Sequence, residues 1–251
     1  MVAASQPLAA QAGIEIMQKG GNAIDAAIAT AAALTVVEPT GCGIGGDAFA
    51  LVWCKGQLHG LNGNGHAPAA LSIEAVKAAG HGQMPLYGWT PVTVPGCPSA
   101  WAELSRRFGK LPFAELLQPA ISLAREGFAL SPVVAHQWQV AVNEFTPHRD
   151  AVLEAWFDTF LIDGQAPQAG EVFFATRPRR APFRNWPIPA ARACIAARWP
   201  SAWTPIPGPA AAICGPRTSR IIVPNGWTPS TSITEAWMSG KSRQAGRAWW
   251  P

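Results

Sequence analysis

The chain has 251 residues, enough for one large domain or two small ones, and its formal charge of +4 conceals two unlike parts. Residues 1–173 carry 14 acidic and 8 basic side chains, a net of −6, whereas residues 174–251 carry 1 acidic and 11 basic, a net of +10. The basic balance therefore says nothing about the first part, and five cysteines, odd in number and without metal-site spacing, argue against a disulfide framework or a zinc centre.

In chain order, Ser5 ahead of Pro7 marks a helix start, because proline is tolerated in a first turn. Leu8, Ala9, Ala12 and Ile16 follow at helical spacing, and Gly20-Gly21 ends that element. Asn22 is placed to cap a second helix, with Asp25 in its first turn, where a negative charge meets the positive end of the helix dipole. The apolar run Ala26–Val37 is too short and too rich in alanine to span a bilayer and reads as a buried helix with small faces. No membrane span is expected. A glycine-rich turn follows, Glu38-Pro39-Thr40-Gly41-Cys42-Gly43-Ile44-Gly45-Gly46-Asp47, and leads into a strand-like Phe49–Trp53.

Lys55-Gly56-Gln57 between Phe49–Trp53 and Leu58–Leu61 reads as a hairpin. Pro98 to Phe108 reads as a helix ended by Gly109, Phe113 to Arg125 as a second helix kinked at Pro119, and Ser131-Pro132 starts a third that runs to about Glu144. Helix, helix, hairpin and then several helices suit an α+β layered domain and not a Rossmann fold.

Two features are open on the residues alone. Gly41, Gly43, Gly45 and Gly46 either provide positive φ and close packing or approach a substrate directly. A phosphate site is disfavoured, since no Lys-Ser/Thr follows the loop. Cys97 is either a small buried thiol or a nucleophile. Met1 runs straight into a helix start without a secretory pattern, which favours the cytoplasm, although an export signal could have preceded Met1 in an intact gene.

Met1–Ala10, Lys19–Ala27, the glycine turn Val36–Phe49 and Gln118–Gly127 together, in this order and spacing, resemble the start of the gamma-glutamyltransferase family. That resemblance implies a helix-rich part of an N-terminal-nucleophile hydrolase, an αββα layered fold. It implies a precursor that cuts itself into a large and a small subunit, the new N-terminal threonine being nucleophile and its own amine the base. The implied reaction is transfer or hydrolysis of a gamma-glutamyl group, as in glutathione breakdown. The match covers residues 1–173, the front of a large subunit, so the small subunit is an expected missing partner. No catalytic residue, cofactor or metal is expected in this chain: Thr30, Thr35 and Thr40 are internal and look structural. The fragment is expected to be inactive alone and to expose apolar surface where the missing layers would pack.

The same resemblance places one substrate position. Family members end the strand after the hairpin with an arginine four residues before a proline, and that arginine pairs with the substrate's α-carboxylate. In Leu61-Asn62-Gly63-Asn64-Gly65-His66-Ala67-Pro68 that position is Asn64. Asparagine can hydrogen-bond a substrate but cannot neutralise a carboxylate, which leaves room for a related amidohydrolase or acylase with a non-glutamyl substrate. His66 either supplies a positive charge there or is an ordinary surface or packing histidine.

Residues 174–251 hold 7 of the 12 Trp and 12 of the 24 Pro but no Leu, Asp, His or Tyr, an abnormal composition for a globular segment. The genetic code offers an account. Trp is encoded by TGG and Thr codons begin with AC, so moving the frame back by one base at Trp227-Thr228 forces an aspartate codon. Permitted codons for Asn225–Pro229 then give Glu-Trp-Val-Asp-Pro, which resembles the family's downstream sequence, as do rereadings on either side. The expectation is a frame change near Phe174 in a GC-rich gene and a disordered, irregular tail. The rival is a genuine basic, Trp-rich segment that binds anions or nucleic acid. Its arginines show no helical or alternating pattern, so no specific nucleic-acid partner is expected.

Overall fold

A computed structural model of the chain describes residues 1–174 apart from 66, 69, 151 and 152. The expectations for His66 and for the tail from residue 175 onward lie outside the described residues.

The first helix, α1, spans Pro7–Gln18. Its cap is Gln6 and not Ser5: the Gln6 side-chain oxygen accepts from the Leu8 and Ala9 amides at 2.5 and 3.2 Å. The Ser5 hydroxyl instead donates to Glu38 at 2.5 Å, tying the start of α1 to the end of the next helix. That helix, α2, spans Ala23–Val37 and begins with the expected capping box, Asn22 accepting from Asp25 N–H while the Asp25 carboxylate accepts from Asn22 N–H. Ala26, Ala29, Ala32 and Ala33 are all buried, so neighbouring helices approach α2 closely.

Strands β1 (Ala48–Cys54) and β2 (Gln57–Gly63) form the expected antiparallel hairpin. Lys55 and Gly56 both have positive φ, the signature of a type I′ turn whose twist suits adjoining strands. A short helix α3 (Ile73–Ala78), capped by Ser72, precedes α4 (Cys97–Phe108). The expected kink at Pro119 is a full break: α5 (Phe113–Leu116) stops and α6 (Gln118–Glu126) restarts with Pro119 in its first turn. Proline has no N–H and would crowd the carbonyl one turn back. Helix α7 (Pro132–Phe145) starts at the Ser131 cap, and α8 spans Glu154–Phe160.

The core gathers α1, α2, α4, α6 and α7 around Ile16, Ile28, Val37, Leu116 and Trp138. Strands β3 (Phe128–Ala129) and β4 (Val172–Phe173) pair antiparallel beside it. Phe173 is buried against Trp138, ring centroids 4.8 Å apart, so the chain remains anchored in the core at that point. Neither α3, α8 nor the β3–β4 pair follows from hydrophobic period, since each is too short to establish one.

The β1–β2 hairpin has two unlike faces. Val52 is buried, and Gly63 approaches Ala100 of α4. On the other face Phe49, Leu51 and Trp53 are 65%, 53% and 72% exposed, three large apolar side chains in a row with nothing over them among the described residues. The expected exposed apolar surface is here.

Candidate functional site

Three backbone segments meet at one end of the hairpin: the glycine loop after α2, the residues after β2, and Val94–Cys97 leading into α4. The loop begins where the Glu38 carbonyl accepts from Gly41 and Cys42 N–H at 3.1 and 3.0 Å. It closes with Gly46 N–H donating to Gly43 at 3.3 Å. The Gly46 carbonyl then accepts from both Gly96 and Cys97 N–H at 3.0 Å, fastening the loop to the first residues of α4.

The second junction is a crossing of bare backbone. Gly65 has φ +72°, and a Cβ there would lie 1.9 Å from the Val94 carbonyl oxygen. A Cβ on Gly96 would lie 2.0 Å from the Gly63 carbonyl oxygen. Real side chains do not fit at such distances, so these glycines set how closely the strand end and the α4 entry approach. The packing expectation for the glycine loop itself is corrected. None of Gly41, Gly43, Gly45 and Gly46 has positive φ. A Cβ on Gly43 or Gly45 would meet nothing within 4 Å, and on Gly41 or Gly46 would make only ordinary contacts of 3.6 and 3.5 Å. The close packing is at Gly63, Gly65 and Gly96, while the outer side of the loop faces open space.

Asn64 stands at this junction. It is exposed, its N–H donates to the Asn62 side chain at 3.0 Å, and its own carboxamide makes no hydrogen bond among the described residues. An exposed carboxamide, with both a donor and an acceptor, can hold a polar ligand of either character. Across the mouth of the hairpin lies Asp47, exposed as well, and the sequence reading passed over it. The signal was available, since Asp47 is the acidic residue that ends the glycine run. The Val94–Cys97 segment was also passed over, though Val-Pro-Gly-Cys-Pro announces a constrained approach to a helix.

The thiols and hydroxyls nearby are structural. Cys97 is buried, and its thiol is pushed up to about 12 by burial, then by the charge of Asp47 and by Cys42. The Cys42 thiol is also raised, by burial and then by Glu38. Nucleophilic thiols have lowered pKa values, so the buried-thiol reading of Cys97 holds. Thr30 and Thr35 donate their hydroxyls to the Ala26 and Ala32 carbonyls, both at 2.8 Å, and Thr40 donates to Gln137 at 3.5 Å. Among the described residues no group of three His, Cys, Asp or Glu side chains could hold a metal ion, and no helix is long and apolar enough to cross a membrane.

Comparison with known proteins gives this geometry a context. A family model described as gamma-glutamyltranspeptidase matches residues 9–181. The glutathione hydrolase-like YwrD proenzyme of Bacillus subtilis (strain 168) is 36% identical over 176 residues, which cover 69% of this chain and 32% of that protein. The acylase ACY 1 proenzyme of Pseudomonas sp. (strain SE83) is 38% identical over 146 residues, covering 54% of this chain and 26% of that one. Among solved structures, a cephalosporin acylase from Bacillus halodurans superposes with a TM-score of 0.67 at 59% identity, covering 69% of this chain and 33% of the other. The Helicobacter pylori gamma-glutamyltranspeptidase superposes with a TM-score of 0.62 at 28% identity, covering 69% and 50%. The chain thus spans between about a quarter and a third of the length of these curated relatives.

Proposed function

The chain belongs to the gamma-glutamyltranspeptidase family, and we propose that residues 1–173 serve as the front of the large subunit of an N-terminal-nucleophile amidase. Its reaction is transfer or hydrolysis of the acyl group of a small amide, a gamma-glutamyl group in the principal reading. The observation that carries this reading is the hairpin, whose mouth gathers Asp47, Asn64 and the glycine loop while its outer face leaves Phe49, Leu51 and Trp53 uncovered. Such a face suits coverage by a second sheet, as the layered fold of the family requires. In this division of labour the attacking threonine comes from the small subunit, and the residues described here shape and position the acyl pocket.

A second reading, an acylase or related amidohydrolase with a non-glutamyl substrate, is favoured by two observations. Asn64 stands where gamma-glutamyl transfer calls for a cation, and the cephalosporin acylase neighbour is 59% identical over the matched part. Basic-tail binding of anions has no comparable support.

We also infer that residues 174–251 are read out of frame, on the codon argument at Trp227-Thr228 and the compositional break. The test is to resequence the gene across the codons for Val172–Thr176 and beyond Pro251, restore any displaced frame, and assay the self-cleaved product. Hydrolysis of gamma-glutamyl anilide supports the principal reading. Hydrolysis of other acyl amides with gamma-glutamyl anilide untouched supports the second. A processed two-subunit protein that cleaves neither overturns both, and a confirmed sequence with no downstream frame encoding a threonine nucleophile overturns the frame inference.

A further inference from the structure

We propose that Asp47 is a specificity-determining residue that makes the site's rim select neutral or ammonium-bearing acyl heads over carboxylate-bearing ones. This rests on the acyl-site reading above and, because a gamma-glutamyl head bears an α-carboxylate, it sides with the second, non-glutamyl form of that reading. The β1–β2 ladder runs out to the pair Ala48 and Gly63, so the next residues outward, Asp47 and Asn64, flank the open end of the hairpin. Both are exposed. Asp47 has no ion pair among the described residues. The Gly46 carbonyl beside it is tied to Gly96 and Cys97, which holds the carboxylate where the three rim segments converge.

Among the described residues the surrounding charges all point the same way. From Val36 to Gly65 the sole lysine or arginine is Lys55, in the turn at the far end of the hairpin. Eight residue steps along the strand put it about 26 Å away, about three Debye lengths at physiological salt. From Gly88 to Ala100 there is no charged residue. The other titratable group nearby is Glu38, which accepts the Ser5 hydroxyl. His59 stands on the α4 side of the hairpin against Phe108 and Arg107. Among the described residues, a carboxylate head entering this rim meets Asp47 with no counter-ion, whereas an ammonium head finds one, and a neutral amide finds the Asn64 carboxamide. The field of Asp47 reaches inward as well, since it helps to raise the Cys97 thiol, as Cys42 does.

Cys42, half-buried in the glycine loop beside the charge of Glu38, serves as a reporter when the effect of Asp47 is taken as the part of its labelling preference that an Asp47 substitution removes. The full chain is treated with methanethiosulfonates of matched size carrying a trimethylammonium or a sulfonate tail. In each case the Cys42 thiolate attacks the reagent sulfur, a mixed disulfide forms and methanesulfinate leaves. Labelling is followed by peptide mass spectrometry and normalised to a small neutral thiol. The ammonium-to-sulfonate rate ratio at Cys42 is expected to exceed that of the free thiol by about threefold or more, the size of one partly screened charge acting on probes of opposite sign. Asp47→Asn should lower that preference at both reporters, the remainder at Cys42 belonging to Glu38, and Asn64→Asp should raise it; both positions are exposed, so the fold is retained. Asn62→Cys, two residues from Asn64, provides a second reporter with the same expected sign. A ratio at both reporters no higher than that of the free thiol, or one unchanged by Asp47→Asn, overturns the proposal. Labelling needs no turnover, so that failure leaves the acyl-transfer reading standing, and failure of the turnover assay leaves the ratio standing.

Discussion

Replacing Asp25 by alanine tests the central joint of this structure. Asp25 is 0% exposed, and its carboxylate accepts from three backbone amides: Asn22 at 2.9 Å, Lys110 at 3.0 and 3.1 Å through both oxygens, and Leu111 at 3.3 Å. Alanine leaves all three donors without an acceptor. An orphaned buried donor costs about 1–3 kcal/mol, and these three are only partly buried, so water recovers some of the loss. The expected destabilisation is about 3–5 kcal/mol, a large share of the roughly 5–15 kcal/mol available to a domain. With a urea slope of about 2 kcal/mol per molar, the midpoint followed by circular dichroism should fall by about 2 M. Asp25→Asn retains one acceptor oxygen but turns an amino group toward the other donors, and should fall between the two. A shift below about 0.5 M for the alanine variant, with the slope unchanged, would refute the assignment of Asp25 as the staple between α2 and the end of α4.

Other outcomes follow from single contacts. Gly96→Ala should cost several kcal/mol by driving a methyl into the Gly63 carbonyl, whereas Gly43→Ala, with open space around it, should change the urea midpoint by less than about 0.5 kcal/mol equivalent. Because the Cys97 thiol is raised to about 12, the folded chain keeps that proton where an unfolded cysteine releases its own. Stability contributed by this group is therefore present below about pH 8.5 and is lost as pH rises from there toward 12, and iodoacetamide at pH 9 should modify Cys54 well before Cys97 in the folded chain. Leu51→Lys combined with Trp53→Thr should reduce self-association in sedimentation velocity without lowering the urea midpoint, since both side chains are more than half exposed.

Much of this architecture was legible in the sequence because its signals are local. The Asn22–Asp25 cap, the Lys55-Gly56 turn, the Ser131-Pro132 start and the interruption at Pro119, expected as a kink and found as a full break, each depend on a few adjacent residues whose side chains or missing N–H groups limit the conformation. The family resemblance was legible for the same reason, through motifs at fixed spacing. What stayed hidden depends on distant partners. Nothing local distinguishes the glycines that must be bare, Gly63, Gly65 and Gly96, from those of the glycine loop, because the difference lies in which backbone crosses above them. Ser5 looked like a cap until Glu38, 33 residues away, took its hydroxyl. Asp47 drew no notice in a one-dimensional reading, since its meaning comes from Asn64 opposite and from the lack of a nearby cation among the described residues.

The long-range bonds form a clamp with two ends. At one end the first turn of α2 holds the end of α4: Asn22 donates to the Phe108 carbonyl at 2.6 Å while Asp25 receives the Lys110 and Leu111 amides. At the other end the loop leaving α2 holds the start of α4, through Gly46 to Gly96 and Cys97. Helices α2 and α4 are thus antiparallel and fastened at both ends, with the rim built on the second fastening. Fifteen residues of α2 separate the two ends by about 22 Å, with a buried alanine face between them. A helix so packed transmits displacement instead of absorbing it, because close-packed interiors have little slack. Releasing the Asp25 end should therefore loosen the rim. Cys42 labelling in Asp25→Asn, under conditions where that variant remains folded, should speed up for both charged reagents alike. The ammonium-to-sulfonate ratio should stay unchanged, because the joint sets how firmly the rim is held while Asp47 sets its charge.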